Sequence, residues 1–228
     1  MEKAKFHEKE EFRNDRHVFG NRSEAGRVLA EMMEPHYGED PATQILAIPA
    51  GGVPVGIEIS NRLKLPFDLI IVRKIQIPGN TEAGFGAMDP EGNVYLNEEL
   101  LEYLRLSPAQ IESQKARVRK DLEERDRLFR GGKAFPNLRG KTVILVDDGI
   151  ASGYTMLASI HAARGKGARS IVVAVPPAHS KSLARVEPLV EAVYCPNIRT
   201  TPHFAVADAY THWYDISRDE VLKLLERE

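Results

Sequence analysis

Cysteine is almost absent from this sequence: Cys195 stands alone among 228 residues, so no internal disulfide can form. A reducing compartment fits that scarcity, and the cytoplasm is the default expectation. No stretch approaches the roughly 18 apolar residues that a membrane span needs. Residues 1–15 are dense in Lys and Glu and have no apolar centre, so they do not make a secretory signal. An excess of one charge is missing too, the formal net charge being −2. Nucleic acid or an anionic membrane would call for a basic surplus on one face, so neither is expected as a partner. The chain has no internal repeat and no low-complexity linker. It has no G-x-x-x-x-G-K-[ST] segment, which excludes the common nucleoside-triphosphate loop. A dinucleotide site would need G-x-G-x-x-G and an acidic residue about 20 positions later. Here Gly51-Gly52 and Gly56 have the wrong spacing, and Arg73-Lys74 stand where the acid should be.

What remains is an ordinary soluble composition, 43% hydrophobic and 28% charged, long enough to bury a sizeable core. The first 17 residues read as a flexible, charged start. A helix is expected from Asn21 or Ser23 to Met33, with Ala25, Val28, Leu29 and Met32 on one face, stopped by Pro35 and Gly38. Apolar runs at 44–49 and 67–72 predict strands covered on both faces. The second of them ends on Arg73-Lys74. Between 79 and 97 the glycines and the turn at 89–92 predict a β-hairpin after a mobile loop. A long charged helix over 107–129 carries an apolar seam at Ile111, Val118, Leu122 and Phe129. From 142 to 195 strands and helices alternate, which calls for right-handed crossovers and a parallel sheet. A last helix is expected over 217–225. In such a sheet ligands bind at the carboxyl ends of the strands, here the loops after Pro49, Val72 and Val146.

The last of these loops carries the most information. Val143-Ile144-Leu145-Val146 delivers Asp147 and Asp148 to a strand end, and Gly149-Ile150-Ala151-Ser152-Gly153-Tyr154-Thr155 leads into a helix. Two adjacent carboxylates accept hydrogen bonds from vicinal hydroxyls, which suits a ribose diol. The small residues expose backbone N–H groups at a helix N-terminus, beside the hydroxyls of Ser152 and Thr155. That makes a monophosphate cradle without a lysine. A single Asp or Ser at such a place commonly just caps a helix; the whole run together points to a site.

This run resembles the ribose-phosphate signature of the type I phosphoribosyltransferases, and the chain is similar to an uncharacterised subgroup of that family. Asn21-Arg22-Ser23-Glu24-Ala25-Gly26-Arg27, Ile48-Pro49-Ala50-Gly51-Gly52-Val53-Pro54-Val55, Val72-Arg73-Lys74, Gly84-Phe85-Gly86-Ala87, Phe204-Ala205-Val206 and Asp219-Glu220-Val221 agree in the same order. The resemblance covers about residues 18–225. It implies a Rossmann-like α/β core of about 40–200 with flanking helices and a β-hairpin insertion, under a small hood from 18–35 and 196–228. It implies that Asp147 and Asp148 hold the ribose hydroxyls and serve catalysis. It further implies that Ala151, Ser152, Gly153, Tyr154 and Thr155 bind the 5-phosphate. Ala50, Gly51 and Gly52 would form a diphosphate loop, often with a cis peptide, with Arg73 and Lys74 beside it. The substrate implied is 5-phosphoribosyl 1-diphosphate, with Mg2+ held mainly by substrate oxygens, a nitrogenous base as acceptor, and a possible homodimer. Phe204, Tyr210, Trp213 and Tyr214 are candidates to stack on the base. The family's closing loop maps onto 79–97, but only Thr81 and Glu82 stand where a basic or hydroxyl residue is usual. Lys115, Arg117 or Arg119 are alternatives, on a helix that reads as a charged solvent face. A non-catalytic sensor that binds the same diphosphate is the rival reading.

Overall fold

The structure, a computed structural model, describes residues 4–89 and 91–226, without the side chains of 81–83. It begins with a departure from expectation. Lys5–His7 forms a strand, β1, and is followed by a short 3-10 turn at Glu10–Phe12. β1 is a parallel edge strand, and Phe12 packs edge-on to Phe19 at 5.7 Å. The sequence around β1 is charged because an edge strand is half solvated. Its backbone hydrogen bonds, invisible to composition, are what tie it down.

The next elements are α1 (Arg22–Tyr37), β2 (Thr43–Ala47), α2 (Gly52–Leu63) and β3 (Phe67–Leu69). Asn21 caps α1 by accepting from the Glu24 N–H at 2.9 Å. The helix runs through Pro35 rather than stopping there. Proline in the last turn removes only one intrahelical bond, and Leu29, Ala30 and Met33 are already anchored in the core. β3 is shorter than expected. Arg73 is not the end of β3 but the first residue of β4 (Arg73–Ile77), which leaves the parallel sheet.

β4 pairs antiparallel with β5 (Asn80–Met88), and β5 pairs with β6 (Val94–Leu96), making a separate three-stranded sheet. The expected β5–β6 hairpin is therefore present with one further partner. The buried Asp89 carboxylate organises its turn, accepting from the N–H groups of Glu91 and Asn93. α3 (Glu98–Leu104), not foreseen, is capped by Asn97. α4 (Pro108–Arg130) starts at a Ser107/Gln110 capping box and buries Val118, Leu122 and Phe129, with Ile111 packed alongside.

The last third follows the expected alternation. It comprises β7 (Thr142–Val146), α5 (Tyr154–Gly165), β8 (Ser170–Ala174), β9 (Pro177–His179), α6 (Ser180–Val186), β10 (Ala192–Tyr194), β11 (Asn197–Arg199) and α7 (Arg218–Leu225). The six-stranded sheet runs β1-β10-β8-β7-β2-β3, all parallel. Alternate residues along β7 face opposite layers: Val143 and Leu145 meet α5 and α6, Ile144 and Val146 meet α1 and α2. β9 and β11 continue beyond β8 and β10 as a second parallel pair. Cys195 sits at that bend, buried, and burial pushes its thiol well up, so it is an inert packing group.

β2 has β3 on one side and β7 on the other, so the chain reverses direction across the sheet between β2 and β7. That switch point opens a crevice beyond the strands' carboxyl ends. Above it, Phe19 bridges to Tyr210, and Phe19, Ala25, Ala209 and Tyr210 make a small separate core. These residues come from the two segments expected to form the hood, although α1 also contributes to the main core. No described helix is long and apolar enough to cross a membrane.

Candidate functional site

A cavity of about 410 Å³ lies at the switch point. Asp147, Ala151, Ser152, Gly153 and Thr155 line it from the β7 side, Pro49 from β2, and Arg73 and Lys74 from β4. Three loops singled out from sequence thus meet in one place.

Each wall has a local cause. Beyond β7 the pairing continues through the Ile48 N–H, which donates to the Val146 carbonyl at 2.8 Å and draws the two strand ends together. The loop then rises to Ile150, whose N–H donates to Pro177 and whose carbonyl accepts from the His179 N–H. β9, unforeseen, is what supports the phosphate-type loop from below. Gly153 enters α5 with φ +89°, and no side chain caps the helix. The N–H groups of Tyr154, Thr155 and Met156 precede the first intrahelical bond, from Leu157 to Gly153 at 2.9 Å, and so are available to an anion. Ser182 donates to the Ala151 carbonyl and Arg185 to the Ser152 carbonyl, holding the loop's oxygens away from the cavity. The Tyr154 ring faces Arg185, 5.7 Å away, and does not line the cavity.

The turn after β2 is tighter. Its Pro49–Ala50 peptide is cis. Gly52 donates to the Ile48 carbonyl at 3.0 Å, and Ala50 packs against the core. A Cβ on Gly51 would lie 1.9 Å from Asp148 Oδ2, and one on Gly52 would lie 2.6 Å from the Val146 carbonyl oxygen. A side chain is excluded at Gly51 by the Asp148 carboxylate and at Gly52 by the backbone at the end of β7.

The two acids are not equivalent. Asp147 faces the cavity, and its Oδ1 accepts from the Asp148 N–H at 2.9 Å. Asp148 turns the other way and receives the Arg22 Nε at 2.7 Å. Burial pushes the Asp147 carboxyl well up, and the neighbouring Asp148 charge adds to it. Burial also raises Asp148, and there the Arg22 guanidinium opposes the rise.

Arg73 reaches the cavity while its Nε pairs with Asp121 of α4 at 2.6 Å. Arg125 and Arg218 share that carboxylate. Lys74 reaches the cavity across Gly84, where an added Cβ would be 2.2 Å from the Lys74 Cγ. Asp121 and Gly84 are therefore part of the arrangement; proximity in space, not spacing in sequence, reveals the first. Lys115 pairs with Glu112, and neither it nor Arg117 nor Arg119 lines the cavity. The side chains of Thr81 and Glu82, candidates for the closing loop, lie outside the described residues.

Of the four aromatic candidates, three are committed elsewhere. Tyr210 is buried and donates its hydroxyl to the Asp148 carbonyl at 2.6 Å. Trp213 stacks on Arg22, and Tyr214 donates to Glu220. Phe204 instead lines a second cavity, with His179 and Lys181, that adjoins the first at Ala151.

Comparison with known proteins identifies the family. Residues 23–208 match the family described as the phosphoribosyl transferase domain. A Mycobacterium tuberculosis protein provisionally named a phosphoribosyl transferase, present in two strains, is 34% identical over 212 residues. That alignment takes in 92% of this chain and 47% of the relative, so the chain spans about half the length of its curated relatives. The crystal structure of TT1426 from Thermus thermophilus superposes with a TM-score of 0.73 at 32% identity, covering 92% of this chain and 98% of that one. With the family matched along most of its length and the switch-point cavity in place, the chain belongs to the type I phosphoribosyltransferase family.

Proposed function

We propose that the switch-point cavity binds 5-phosphoribosyl 1-diphosphate and that the protein transfers its phosphoribosyl group to a nitrogenous base, releasing diphosphate. The observation that carries this reading is the sharing of one cavity by the Asp147 carboxylate, the open loop at 151–155 and the cations of Arg73 and Lys74. The loop, with Ser152 and Thr155, takes the 5-phosphate. The acidic pair takes the ribose hydroxyls. Arg73 and Lys74 meet the diphosphate from the cavity wall, and the turn of Ala50, Gly51 and Gly52, set back from that wall, is its backbone neighbour. Phe204, in the adjoining cavity, is the aromatic face left for the acceptor base.

In the reaction the C1–O bond to diphosphate breaks and keeps its electron pair with the leaving group. A base nitrogen forms the new bond to C1 and gives up its proton. Positive charge develops on C1 and the ring oxygen, so the protein's work is positioning and charge stabilisation. The residues suit Mg2+, which takes one or two carboxylates together with substrate phosphates and water. Substrate oxygens and water would hold it for the most part, with the acidic pair alongside, and the ion would neutralise charge on the departing diphosphate.

Calorimetric titration of the protein with phosphoribosyl diphosphate, with and without Mg2+, tests the reading. Saturable binding that needs Mg2+ is expected, followed by diphosphate release when the right base is added. Asp147→Asn with Asp148→Asn should weaken binding by about 1–3 kcal/mol per lost charged hydrogen bond, with the fold intact. Wild-type affinity in that double variant would show the site to be elsewhere, and binding without diphosphate release against any base would favour a sensor.

A further inference from the structure

Arg22 is the first residue of α1, yet only 6% of it is exposed. Its Nε donates to Asp148, and its Nη1 donates to the Tyr214 carbonyl at 2.9 Å. The guanidinium lies 3.8 Å from the centre of the Trp213 ring, with Tyr210 and Tyr214 about the same group at 5.9 and 6.0 Å. A buried guanidinium is costly unless its charge is matched, and here one carboxylate, one carbonyl and an indole face share it. The tail of the hood therefore builds a socket for this arginine, and the arginine directs its charge to one of the two acids.

That choice has geometric consequences. Asp148 is held from three sides: Arg22 on its carboxylate, Tyr210 on its carbonyl, and the Gly51 Cα where a side chain would intrude. Asp147 has none of these contacts and lines the cavity. Two neighbouring half-buried carboxylates repel, and the one beside the cation is the one held in place. The charged and titratable groups facing the pair are Arg22 from α1 and Tyr210 from the tail, with Arg73 and Lys74 across the cavity.

Building on the phosphoribosyl diphosphate reading, we propose that Arg22 is a positioning residue that divides the acidic pair, tying Asp148 to the tail and the 50–52 turn and leaving Asp147 to carry more of the ribose contact. The hood thereby has a direct line to the sugar site: displacing Trp213 or Tyr214 loosens Arg22, and loosening Arg22 frees Asp148.

The test compares Arg22→Met, Arg22→Lys, Asp147→Asn, Asp148→Asn and the double variant Arg22→Met/Asp148→Asn with the wild type, each titrated calorimetrically with phosphoribosyl diphosphate and Mg2+ at one pH. Arg22→Met is expected to bind about tenfold more weakly, and Arg22→Lys, which keeps the charge, to recover most of that loss. Because Arg22 acts through Asp148, the double variant should bind no more weakly than the weaker of its two single variants. Asp147→Asn is expected to lose about tenfold more affinity than Asp148→Asn. Additive losses in the double variant, or equal losses in the two Asn variants, would overturn the division of roles. If Arg22→Met does not fold, the Asn pair and Arg22→Lys decide. A wild type that binds no phosphoribosyl diphosphate sinks the functional reading itself. Urea unfolding of the same variants still reports then whether Arg22 is coupled to Asp148.

Discussion

The loop at 150–155 and the turn at 50–52 face one another across the switch point, and they are built on opposite principles. The first works by being open. Ala151 and Ser152 are exposed, α5 has no side-chain cap, and the first N–H groups of the helix are left for a ligand. The second works by being close. Gly51 and Gly52 have no room for a methyl group, because Asp148 and the end of β7 already fill it. An open loop is encoded by its own residues, whereas a close one is encoded by what it touches.

Three substitutions probe that contrast, and the largest effect is expected at Gly51. Its backbone, at φ −62° and ψ −35°, would accept alanine, so the only objection comes from the Asp148 carboxylate. Gly51→Ala should push that carboxylate off Arg22. The expected cost is about 1–3 kcal/mol of stability by urea unfolding, with a loss of phosphoribosyl diphosphate affinity in the same protein. Unchanged binding would show that the turn tolerates looser contact than the distances imply.

Gly153→Ala asks the complementary question. A Cβ there would meet nothing nearer than Ser182 at 3.6 Å, so space is not at issue; the φ of +89° is. The expected loss is about 1–2 kcal/mol, read as a lower unfolding midpoint. Stability equal to wild type would mean that the α5 entry relaxes to another conformation. The smallest effect belongs to Ser152→Ala. Its side chain is exposed and should contribute only when a 5-phosphate is bound. Affinity should fall by about 0.5–1.5 kcal/mol, with the unfolding midpoint unmoved. A change in stability instead would assign Ser152 to the scaffold.

The same contrast explains what can be read in advance. β7, its loop and α5 are contiguous in the chain, and each step has a local signal: β-branched run, acidic pair, small residues, helix. The hood and the middle of the chain lack such signals. β9 and β11 extend past β8 and β10 as a second parallel pair that no sequence pattern announces. Residues 67–72 read as one strand with Arg73-Lys74 at its end, but the chain changes sheets after Leu69, so Arg73 answers to Asp121 of α4. The charged start at 4–17 reads as solvated because the partner of β1 lies near the other end of the sequence.

Arg22 is the sharpest instance. On a helical pattern it is one polar residue beside a cap, no different from the exposed Arg27. Its partner Asp148 is 126 positions away and its stacking ring, Trp213, farther still. The sequence by itself determined the strand pattern, the acidic pair and the open loop, because those depend on side-chain period and backbone freedom within a few residues. Only the tertiary structure decided which acid faces the cavity and which is bound to the hood. That choice rests on burial and on a single cation, and both exist only once distant segments have packed together.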